Sequence, residues 1–587
     1  MAADVAAHEA AAARVPAATP VPAATPVPAG GAWGVLAPSP TRSTTHEVTN
    51  QPPPLEHYDA FAADAVLREA VAREGAAWAE PDLHALGTWA GSADAIAAGF
   101  EADRHRPVLR THDRFGHRID EVDFHPAYHE LLGMFVRSGL HGAPWGEPRP
   151  GVHVARAAGF LLLSQVEAGV GCPTSMTYAA APLFTARHGL PHEEALAREW
   201  LPRLTSRTYE PGLRPVGEKA GVMIGMSMTE KQGGSDVRTN TTVATPTAEP
   251  GLYTLTGHKW FCSAPMSDGF LVLAQAPGGL TCFLLPRVLP DGSRNAVAIQ
   301  RLKDKLGNRS NASSELELHG APAWQVGPEG RGVRTIVDMV ALTRLDCVIG
   351  SSALIRQAVA QAIHHASYRV AFGRRLLMQP LMTAVLADLA VESEAASTLA
   401  LRLARTVDDC ESALRRVGVA LGKYWVCKRA TAVTAEALEC LGGHGYAEES
   451  IMPRLYREAP VNSVWEGSGN VNALDLLRIL AREPEAVEAL FAEFDAAAGG
   501  DHRLDALCTQ LKDLLAGGGV AQERARYAVE RLAVALQGSL LVRHAPSAVA
   551  DAFCATRVAG GGGATFGTLP SGLDAAAIVR RHAPVER

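Results

Sequence analysis

The spacing of apolar residues changes twice along the chain, and each change marks a different kind of predicted structure. From residue 58 to about 224, apolar residues recur every three or four positions, as in "ADAVLREAVAREGAAW" and "HVARAAGFLLLSQVEAG". This period predicts amphipathic helices. Turn-forming stretches such as "HGAPWGEPRPG" separate them, so the first region is predicted to be helical.

The second region has the pattern of short β-strands. "GLYTLTGHKWFCS", "GFLVLAQ", "LTCFLLPR" and "SSELELHG" are rich in aromatic, β-branched and large apolar residues. In the last of these, Leu316 and Leu318 alternate with charged residues, which is the period of a half-buried strand. "APGG" is predicted to join the second and third strands as a hairpin.

The third region is again helical. Four long segments, around 333–371, 379–406, 411–443 and 466–481, predict a helical bundle. Glycine breaks then divide the remaining residues into short predicted helices.

These patterns predict a multidomain α+β protein with a β-barrel-like domain between helical domains. The first residues repeat "VPAATP" and hold too much proline and too little bulky apolar surface to fold. The predicted domains are a disordered Ala/Pro-rich tail (1–48), an N-terminal helical domain (49–225), a central β domain (226–331), a helical bundle (332–481) and an extra C-terminal helical region (482–587).

Charge and cysteine usage narrow the class of protein. The 587 residues carry a net charge of −7, which gives no global attraction to nucleic acid or to an anionic membrane. The nine cysteines are scattered without a C-x-x-C pair, which indicates reduced thiols and a cytoplasmic location. No apolar run reaches about 18 residues, so no membrane span is predicted.

Several common sites are missing from the sequence. It has no G-x-G-x-x-G after a strand, no phosphate-binding G-x-x-x-x-G-K-[ST] and no nucleophile elbow. His125 and His129 have the i, i+4 spacing of two helical metal ligands. They can equally be polar residues on the first turns of a helix beginning at Pro126, and without a third ligand we predict no metal site.

Two loops remain as candidates for chemistry. "GMSMTEKQGGSDVRTNTT", residues 225–242, has glycines and hydroxyl residues that leave N–H and O–H groups free for an anionic or heterocyclic ligand, or it is a plain turn. "PVNSVWEGSGN", residues 460–470, places Glu466 before a Gly-Ser-Gly run. Glu466 is either a positioned base or an acid that caps the next helix.

Five segments resemble motifs of the acyl-CoA dehydrogenase family, in the family's order. "MTEKQGGSD" resembles its flavin-binding signature, and "GHKWFCSAP" resembles the strand whose tryptophan borders the flavin. "YRVAFGRRLLMQP" resembles its R-x-x-F-G helix, "LECLGGHGY" its glycine segment and "SVWEGSGN" its catalytic turn. "RLKDKLGNRSNASSE", "RLYREAPVNSVWEGSGN" and the extra C-terminal region narrow the resemblance to the AidB-type branch, alkylation-response flavoproteins related to isovaleryl-CoA dehydrogenase.

The resemblance, which runs from about residue 45 to 480, implies the acyl-CoA dehydrogenase fold with non-covalent FAD. It implies an adenosine site shared with a neighbouring subunit, and hence a homo-oligomer, a tetramer by analogy. The residues that it places against FAD are Met226, Met228, Thr229, Gly234, Ser235, Trp260, Phe261, Cys262, Ser263, Trp465, Gly467, Ser468 and Asn470, with Arg369, Phe372, Gln379, Gly442 and Gly443 on the adenosine side.

The resemblance also gives Glu466 the role of catalytic base. Isovaleryl-CoA dehydrogenases carry their base on an earlier helix, at the position of Thr343 here, which cannot serve. Two departures from the family pattern weaken the expected activity: Lys231 replaces a common proline, and Cys262 replaces a threonine.

Three functions are compatible with this sequence. The first is α,β-dehydrogenation of a short or branched acyl-CoA, for which an electron-transfer protein would be the partner that reoxidises the flavin. The alternative is a flavoprotein of the alkylation response that binds duplex DNA, and the third is a structural flavoprotein with neither activity. The extra C-terminal region holds 11 Lys and Arg against 13 Asp and Glu, so DNA would need a local track such as Arg301, Lys303, Lys305 and Arg309. Those four residues can also be ordinary solvent-exposed cations at the edge of the β domain.

Overall fold

The computed structural model describes residues 45–516 and 519–584. The predicted tail lies outside the described residues up to residue 44, and residues 45–49 carry no helix or strand. The unit that follows runs from Asn50 to Arg587. The helices and strands described next all belong to it.

The N-terminal region is mainly helical, as predicted, with a β-hairpin that the sequence analysis missed. Its elements are α1 (Ala65–Arg73), α2 (Glu80–Ala90), α3 (Ala93–Arg104), β1 (Val108–His112), β2 (Arg118–Asp123), α4 (Pro126–Arg137), α5 (Ala143–Gly146), α6 (Val152–Ser164), α7 (Gly171–Thr185) and α8 (Glu193–Leu204). The hairpin docks on the β domain, because the Asp120 carboxylate accepts a hydrogen bond from the Ile299 amide at 2.9 Å. Arg118 donates to the Ile299 carbonyl at 3.0 Å.

The central region is a closed sheet. Its strands are β3 (Ile224–Ser227), β4 (Val243–Pro246), β5 (Leu252–Ser263), β6 (Gly269–Ala276), β7 (Gly279–Pro286), β8 (Val297–Leu302) and β9 (Ser313–Val326). Pairings run β6–β4–β5–β9–β7 and return from β7 to β6, so these five strands form the predicted barrel. The β6–β7 hairpin turns between Ala276 and Gly279, as the "APGG" segment predicts.

The third region begins with three long helices, α9 (Gly332–Tyr368), α10 (Pro380–Asp408) and α11 (Ser412–Cys440). A short hairpin, β10 (Val370–Ala371) and β11 (Arg374–Arg375), connects the first two. Two short helices, α12 (Gly443–Tyr446) and α13 (Met452–Glu458), precede α14 (Gly469–Arg482). The four predicted bundle segments therefore correspond to α9, α10, α11 and α14.

The C-terminal region adds helices to the outside of this bundle. They are α15 (Pro484–Asp495), α16 (His502–Ala516), α17 (Ala525–His544), α18 (Ser547–Phe553) and α19 (Ala575–Arg581). The prediction of short helices was wrong for α17, which has 20 residues. Its inner face is buried because α10 and α11 cover it, and Trp425 of α11 donates a hydrogen bond to Gln537 at 2.9 Å.

Buried ion pairs tie the layers together. Arg156 of α6 and Asp346 of α9 are both almost fully buried, and the second Nη–Oδ pair is 2.8 Å apart. The Arg156 guanidinium lies 3.9 Å from the ring centroid of Tyr178. In the C-terminal region, Arg581 pairs with buried Glu394 of α10. Because a buried charge is stable only when paired, these contacts fix how the helical layers are placed around the site.

Candidate active site

The loop predicted to bind flavin is held from beneath by a buried ion pair. Glu230 and Lys259 are fully buried, with Nζ and Oε1 2.8 Å apart. Glu230 also accepts hydrogen bonds from Thr242 Oγ1 at 2.6 Å and from the Thr241 amide at 2.7 Å. Burial alone would raise the pKa of Glu230, but the Lys259 ammonium more than offsets it and holds that pKa well below its usual range.

The exposed part of this loop presents polar groups above that anchor. Met228 and Thr229 are partly exposed and Ser235 is exposed. Gly234 must lack a side chain, because a Cβ there would lie 2.5 Å from the Thr229 hydroxyl oxygen. Met226, in contrast, is buried in the helical core, so only its backbone can reach a ligand.

A β-bulge turns two aromatic residues outward on the neighbouring strand. The pairing of β5 with β9 shifts between Lys259 and Cys262, so Trp260 and Phe261 together oppose one residue of β9. Phe261 is 55 % exposed, and the Trp260 amide donates to the Thr229 carbonyl at 2.9 Å. This contact joins the two predicted flavin segments into one surface.

The same bulge places Cys262 on the other face. Its side chain is fully buried in the β-domain core, while Ser263 keeps partial exposure beside Phe261. The hydroxyl on the outward face of this strand therefore belongs to Ser263, and the thiol of Cys262 faces the barrel interior.

Cations surround Trp260 but do not form an exposed track. The Lys303 ammonium lies 3.3 Å from the ring centroid of Trp260 and also pairs with Glu315. Lys305 turns inward and donates to the Asn311 carbonyl at 2.7 Å. Arg301 pairs with Glu315. The four cations of 301–309 therefore do not share one free face.

Glu466 lies on a strained turn that aims its carboxylate toward α9. Its φ is +57°, a left-handed backbone conformation that costs free energy for a residue other than glycine. The Thr343 hydroxyl of α9 donates to Glu466 Oε2 at 2.7 Å. Arg344 donates from Nε to the Glu466 carbonyl at 2.8 Å while pairing through Nη1 with Asp475. The turn is thus fixed from both sides, and the carboxylate itself bonds a neutral hydroxyl.

Burial raises the pKa of Glu466 above its ordinary value. The Thr343 hydrogen bond opposes this shift, and the charges of Arg344 and Lys423 oppose it further. Glu466 keeps partial solvent access. A raised carboxyl pKa on a partly exposed residue suits a general base that works near neutral pH.

A polar cluster beside Glu466 was not predicted. The Cys172 thiol, at the start of α7, lies close to Ser263 and within electrostatic range of Glu466, and burial raises its pKa to about 12. Behind it, the Lys305 ammonium interacts with the carboxylates of Glu458 and Glu167. Glu458 accepts from the side chain of Asn308 at 2.8 Å, and burial raises its pKa. Only the unusual "RLKDKLGNRSN" segment signalled this cluster in the sequence.

The remaining residues of the predicted catalytic turn lie around Glu466. Trp465 donates from its indole nitrogen to Asn462 at 3.0 Å. Gly467 has a φ of +101° and its carbonyl accepts from Lys423 at 3.1 Å. Ser468 and Asn470 are exposed at the start of α14.

The residues predicted to meet the adenosine of a neighbouring subunit are on the surface. Phe372, at the tip of the β10–β11 hairpin, is 97 % exposed and has a φ of +51°. Arg369 donates to the Asn50 carbonyl at 2.6 Å, and Gln379 donates to the Ala371 carbonyl at 3.1 Å. Gly442 and Gly443 are exposed before α12.

The two histidines considered as metal ligands have different partners. Helix α4 begins at Pro126, as the structural alternative predicts, with His125 just before it as a cap that accepts from the Ala127 amide. His129, on the first turn, lies 2.7 Å from the Tyr209 hydroxyl. A different set, Glu101, His105 and His125, brings its ligand atoms within 4.8 Å of one another. Since the rings of His105 and His125 are stacked, their nitrogen lone pairs do not converge on one point.

The outward surface has the groups that a flavin requires. Phe261 and Met228 offer an exposed apolar area, and the hydroxyls of Thr229, Ser235 and Ser263 offer hydrogen bonds. An aromatic side chain left 55 % exposed between polar donors is suited to covering by a planar heterocycle. The residues therefore fit the cofactor that the motifs imply.

Comparison with known proteins places the chain in one family. Three family profiles match: adaptive response protein AidB N-terminal domain over residues 50–211, acyl-CoA dehydrogenase middle domain over 225–321, and acyl-CoA dehydrogenase C-terminal domain over 330–481. The putative acyl-CoA dehydrogenase AidB of Escherichia coli (strain K12) is 45 % identical over 515 residues, covering 87 % of this chain and 94 % of that protein.

Solved structures agree with this assignment. Caenorhabditis elegans ACDH-11, solved in complex with C11-CoA, aligns with a TM-score of 0.79 and 27 % identity over 89 % of this chain and 94 % of that one. The Bd2924 apo-form aligns with a TM-score of 0.76 and 28 % identity over 85 % and 100 %. Among the described residues, no helix is long and apolar enough to cross a membrane. The chain belongs to the acyl-CoA dehydrogenase family, in its AidB-type branch.

Proposed function

We propose that this protein is an FAD-containing acyl-CoA dehydrogenase-like oxidoreductase that removes an α proton and a β hydride from a short or branched acyl-CoA. The observation that carries the proposal is the Glu466 carboxylate, which accepts a hydrogen bond from the Thr343 hydroxyl and belongs to a residue that is only partly buried. C. elegans ACDH-11, a structural neighbour, was solved with C11-CoA, which supports a CoA thioester as ligand. The length and branching of the acyl chain remain a prediction.

The chain supplies the proton chemistry. Bound FAD would supply the acceptor for the hydride that leaves the substrate's β carbon. Glu466 takes the α proton on the oxygen that Thr343 does not hold. The single Thr343 hydroxyl hydrogen can be donated to Glu466 Oε2, or to the Val340 carbonyl 3.1 Å away once the carboxyl is protonated. Thr343 therefore favours the ionised, active form of the base.

We expect Thr343→Val to shift the pH profile of flavin reduction. Glu466 acts in its ionised form, so the rate rises with pH through the Glu466 pKa. Burial raises that pKa and the Thr343 hydrogen bond lowers it, so removing the hydroxyl moves the midpoint to higher pH, by about one unit for a hydrogen bond of roughly 1.5 kcal/mol. Stopped-flow reduction across pH measures this, with Thr343→Ser as the control that keeps the hydroxyl. An unshifted midpoint in Thr343→Val would refute the role given to Thr343.

We also propose that the protein is a homotetramer with an FAD site shared between subunits. The proposal is supported by the apolar surface around the adenosine-side residues, where Phe372, Met378, Leu381 and Tyr446 are all exposed. Exposed large apolar side chains grouped in this way are typical of protein interfaces.

Phe372→Asp is expected to dissociate the assembly and weaken FAD binding together. A central aromatic contact at an interface contributes on the order of 2 kcal/mol or more, and a charge there adds a desolvation cost. Sedimentation velocity with absorbance at the flavin band follows both quantities. The matched control is Phe115→Asp, at the tip of the β1–β2 hairpin, where the residue is 70 % exposed. A wild-type monomer that holds FAD tightly would contradict the shared site.

Duplex DNA binding in the alkylation response stays the alternative function. The positions of Lys303 and Lys305 remove the continuous track considered for residues 301–309, so this alternative needs another surface. We propose separately that an electron-transfer protein reoxidises the flavin. The cytoplasmic location remains a prediction.

A further inference from the structure

Two cations meet at the first residue of α14, and a third lies beside them, against the catalytic turn. A Cβ built on Gly469 would lie 3.0 Å from Lys428 Nζ and 3.2 Å from Arg526 Nη2. Lys423, five residues before Lys428 on α11, is fully buried and donates to the Gly467 carbonyl. Glycine at position 469 thus leaves the space that the two outer cations share.

Glu466 offsets part of the charge of Lys423, but the two outer cations, Lys428 and Arg526, form no ion pair with a described carboxylate. Within the described residues, no carboxylate lies in ion-pair distance of Lys423, Lys428 or Arg526. Burial lowers the pKa of Lys428, and the charges of Arg526 and then Lys423 lower it further. Like charges held together cost free energy that a bound anion would recover.

The start of α14 adds to the same potential. Ser468 is its N-cap residue but makes no side-chain capping hydrogen bond, so the first amides of this 14-residue helix keep their donors. Helix N-termini carry partial positive charge and bind phosphate groups. The helix N-terminus therefore adds to the positive potential that the cations already create at this position.

The cluster combines two regions of the chain. Lys428 comes from the bundle helix α11, whereas Arg526 comes from α17 in the extra C-terminal region. Butyryl-CoA dehydrogenase of Megasphaera elsdenii aligns over 98 % of its own chain but only 71 % of this one, so the fold exists without such an extension. The C-terminal region therefore brings a cation to the edge of the catalytic turn.

We infer that Lys428 and Arg526, with the first turn of α14, bind the diphosphate group of a nucleotide ligand. The inference rests on the proposed function for the identity of that ligand, because FAD and CoA both contain a diphosphate. Two flexible cations and a helix end suit a group with several anionic oxygens.

Lys428→Gln and Arg526→Gln test the assignment in the full-length holoprotein. FAD release after dilution, followed by flavin fluorescence, and CoA affinity, followed by calorimetry, separate the two sources of diphosphate. We expect one of the two to weaken about tenfold in each variant, the usual effect of losing a charge-assisted hydrogen bond. The flavin absorption spectrum should stay unchanged, because its ring contacts lie elsewhere. The control is Arg524→Gln, which removes an exposed cation just before α17 that stacks on Tyr527, and it should change neither quantity.

Failure of this inference differs from failure of the proposed function. FAD release and CoA affinity that both equal wild type in the two variants would overturn the diphosphate site while leaving the flavoenzyme intact. The diphosphate site would also be refuted if the two variants changed duplex-DNA binding in a gel shift but left FAD release and CoA affinity as in wild type. A folded wild-type protein that cannot be loaded with FAD would refute the proposed function, and the CoA titration would still test the cluster.

Discussion

Glu466→Gln should lower acyl-CoA-dependent flavin reduction by roughly two to four powers of ten, the usual contribution of a positioned general base. Glutamine keeps the size of the side chain and can still accept from the Thr343 hydroxyl, but it cannot take the α proton. FAD should remain bound, since the proposed ring contacts come from residues 226–235 and 260–263. Stopped-flow spectroscopy of the two purified proteins measures the loss directly.

The control for this experiment is Glu488→Gln, which removes an exposed carboxylate on α15 and should leave the rate unchanged. A gel shift with duplex DNA on the same proteins adds the second function to the test. Equal reduction rates in wild type and Glu466→Gln would show that Glu466 is not the catalytic base, and would leave it as an acidic residue near the start of α14. DNA bound by both proteins, with reduction in neither, would favour the DNA-binding alternative.

Glu230→Gln should be the most destabilising single change near the flavin surface. It leaves the Lys259 ammonium buried without a counter-charge, and breaking a buried pair from one side costs about 3–5 kcal/mol. Since Glu230 also bonds Thr241 and Thr242, the loop above it should loosen and FAD retention should fall. Chemical denaturation followed by circular dichroism gives the free energy of unfolding.

The pH dependence of that stability has a defined sign. The folded-state pKa of Glu230 is depressed, so its contribution is present above the ordinary glutamate pKa and is lost only as pH falls through the depressed value. The double variant Glu230→Gln/Lys259→Met should recover much of the lost stability, because no unpaired charge remains. If the double variant instead loses the sum of what Glu230→Gln and Lys259→Met lose singly, the two residues do not act as a pair.

Periodicity alone located most of the fold. The four bundle helices were found because their apolar residues recur at helical spacing, and the "GFLVLAQ" strand, buried on both faces, was found as a short apolar run between turns. The β1–β2 hairpin was missed because it packs through a few contacts, such as Asp120 with Ile299, and shows only a short alternation. The 20-residue α17 was missed because its buried face meets α10 and α11, contacts that no local pattern reveals.

The candidate site was less accessible from the sequence. Motif order located Glu466 and the 228–235 loop, but the bulge that turns Phe261 outward and Cys262 inward depends on the pairing with β9. The charge of Lys305 suggested an exposed residue, whereas tertiary contacts turn it toward Asn311. The convergence of Lys428 and Arg526 joins residues almost a hundred positions apart, so it required the folded structure.

Anaerobic titration of the purified protein with a panel of acyl-CoAs tests the central claim most directly. The account predicts a yellow protein with non-covalent FAD whose visible absorbance is bleached by at least one short or branched acyl-CoA, and by none in Glu466→Gln. A flavin that dithionite reduces but that no acyl-CoA in the panel bleaches would contradict it.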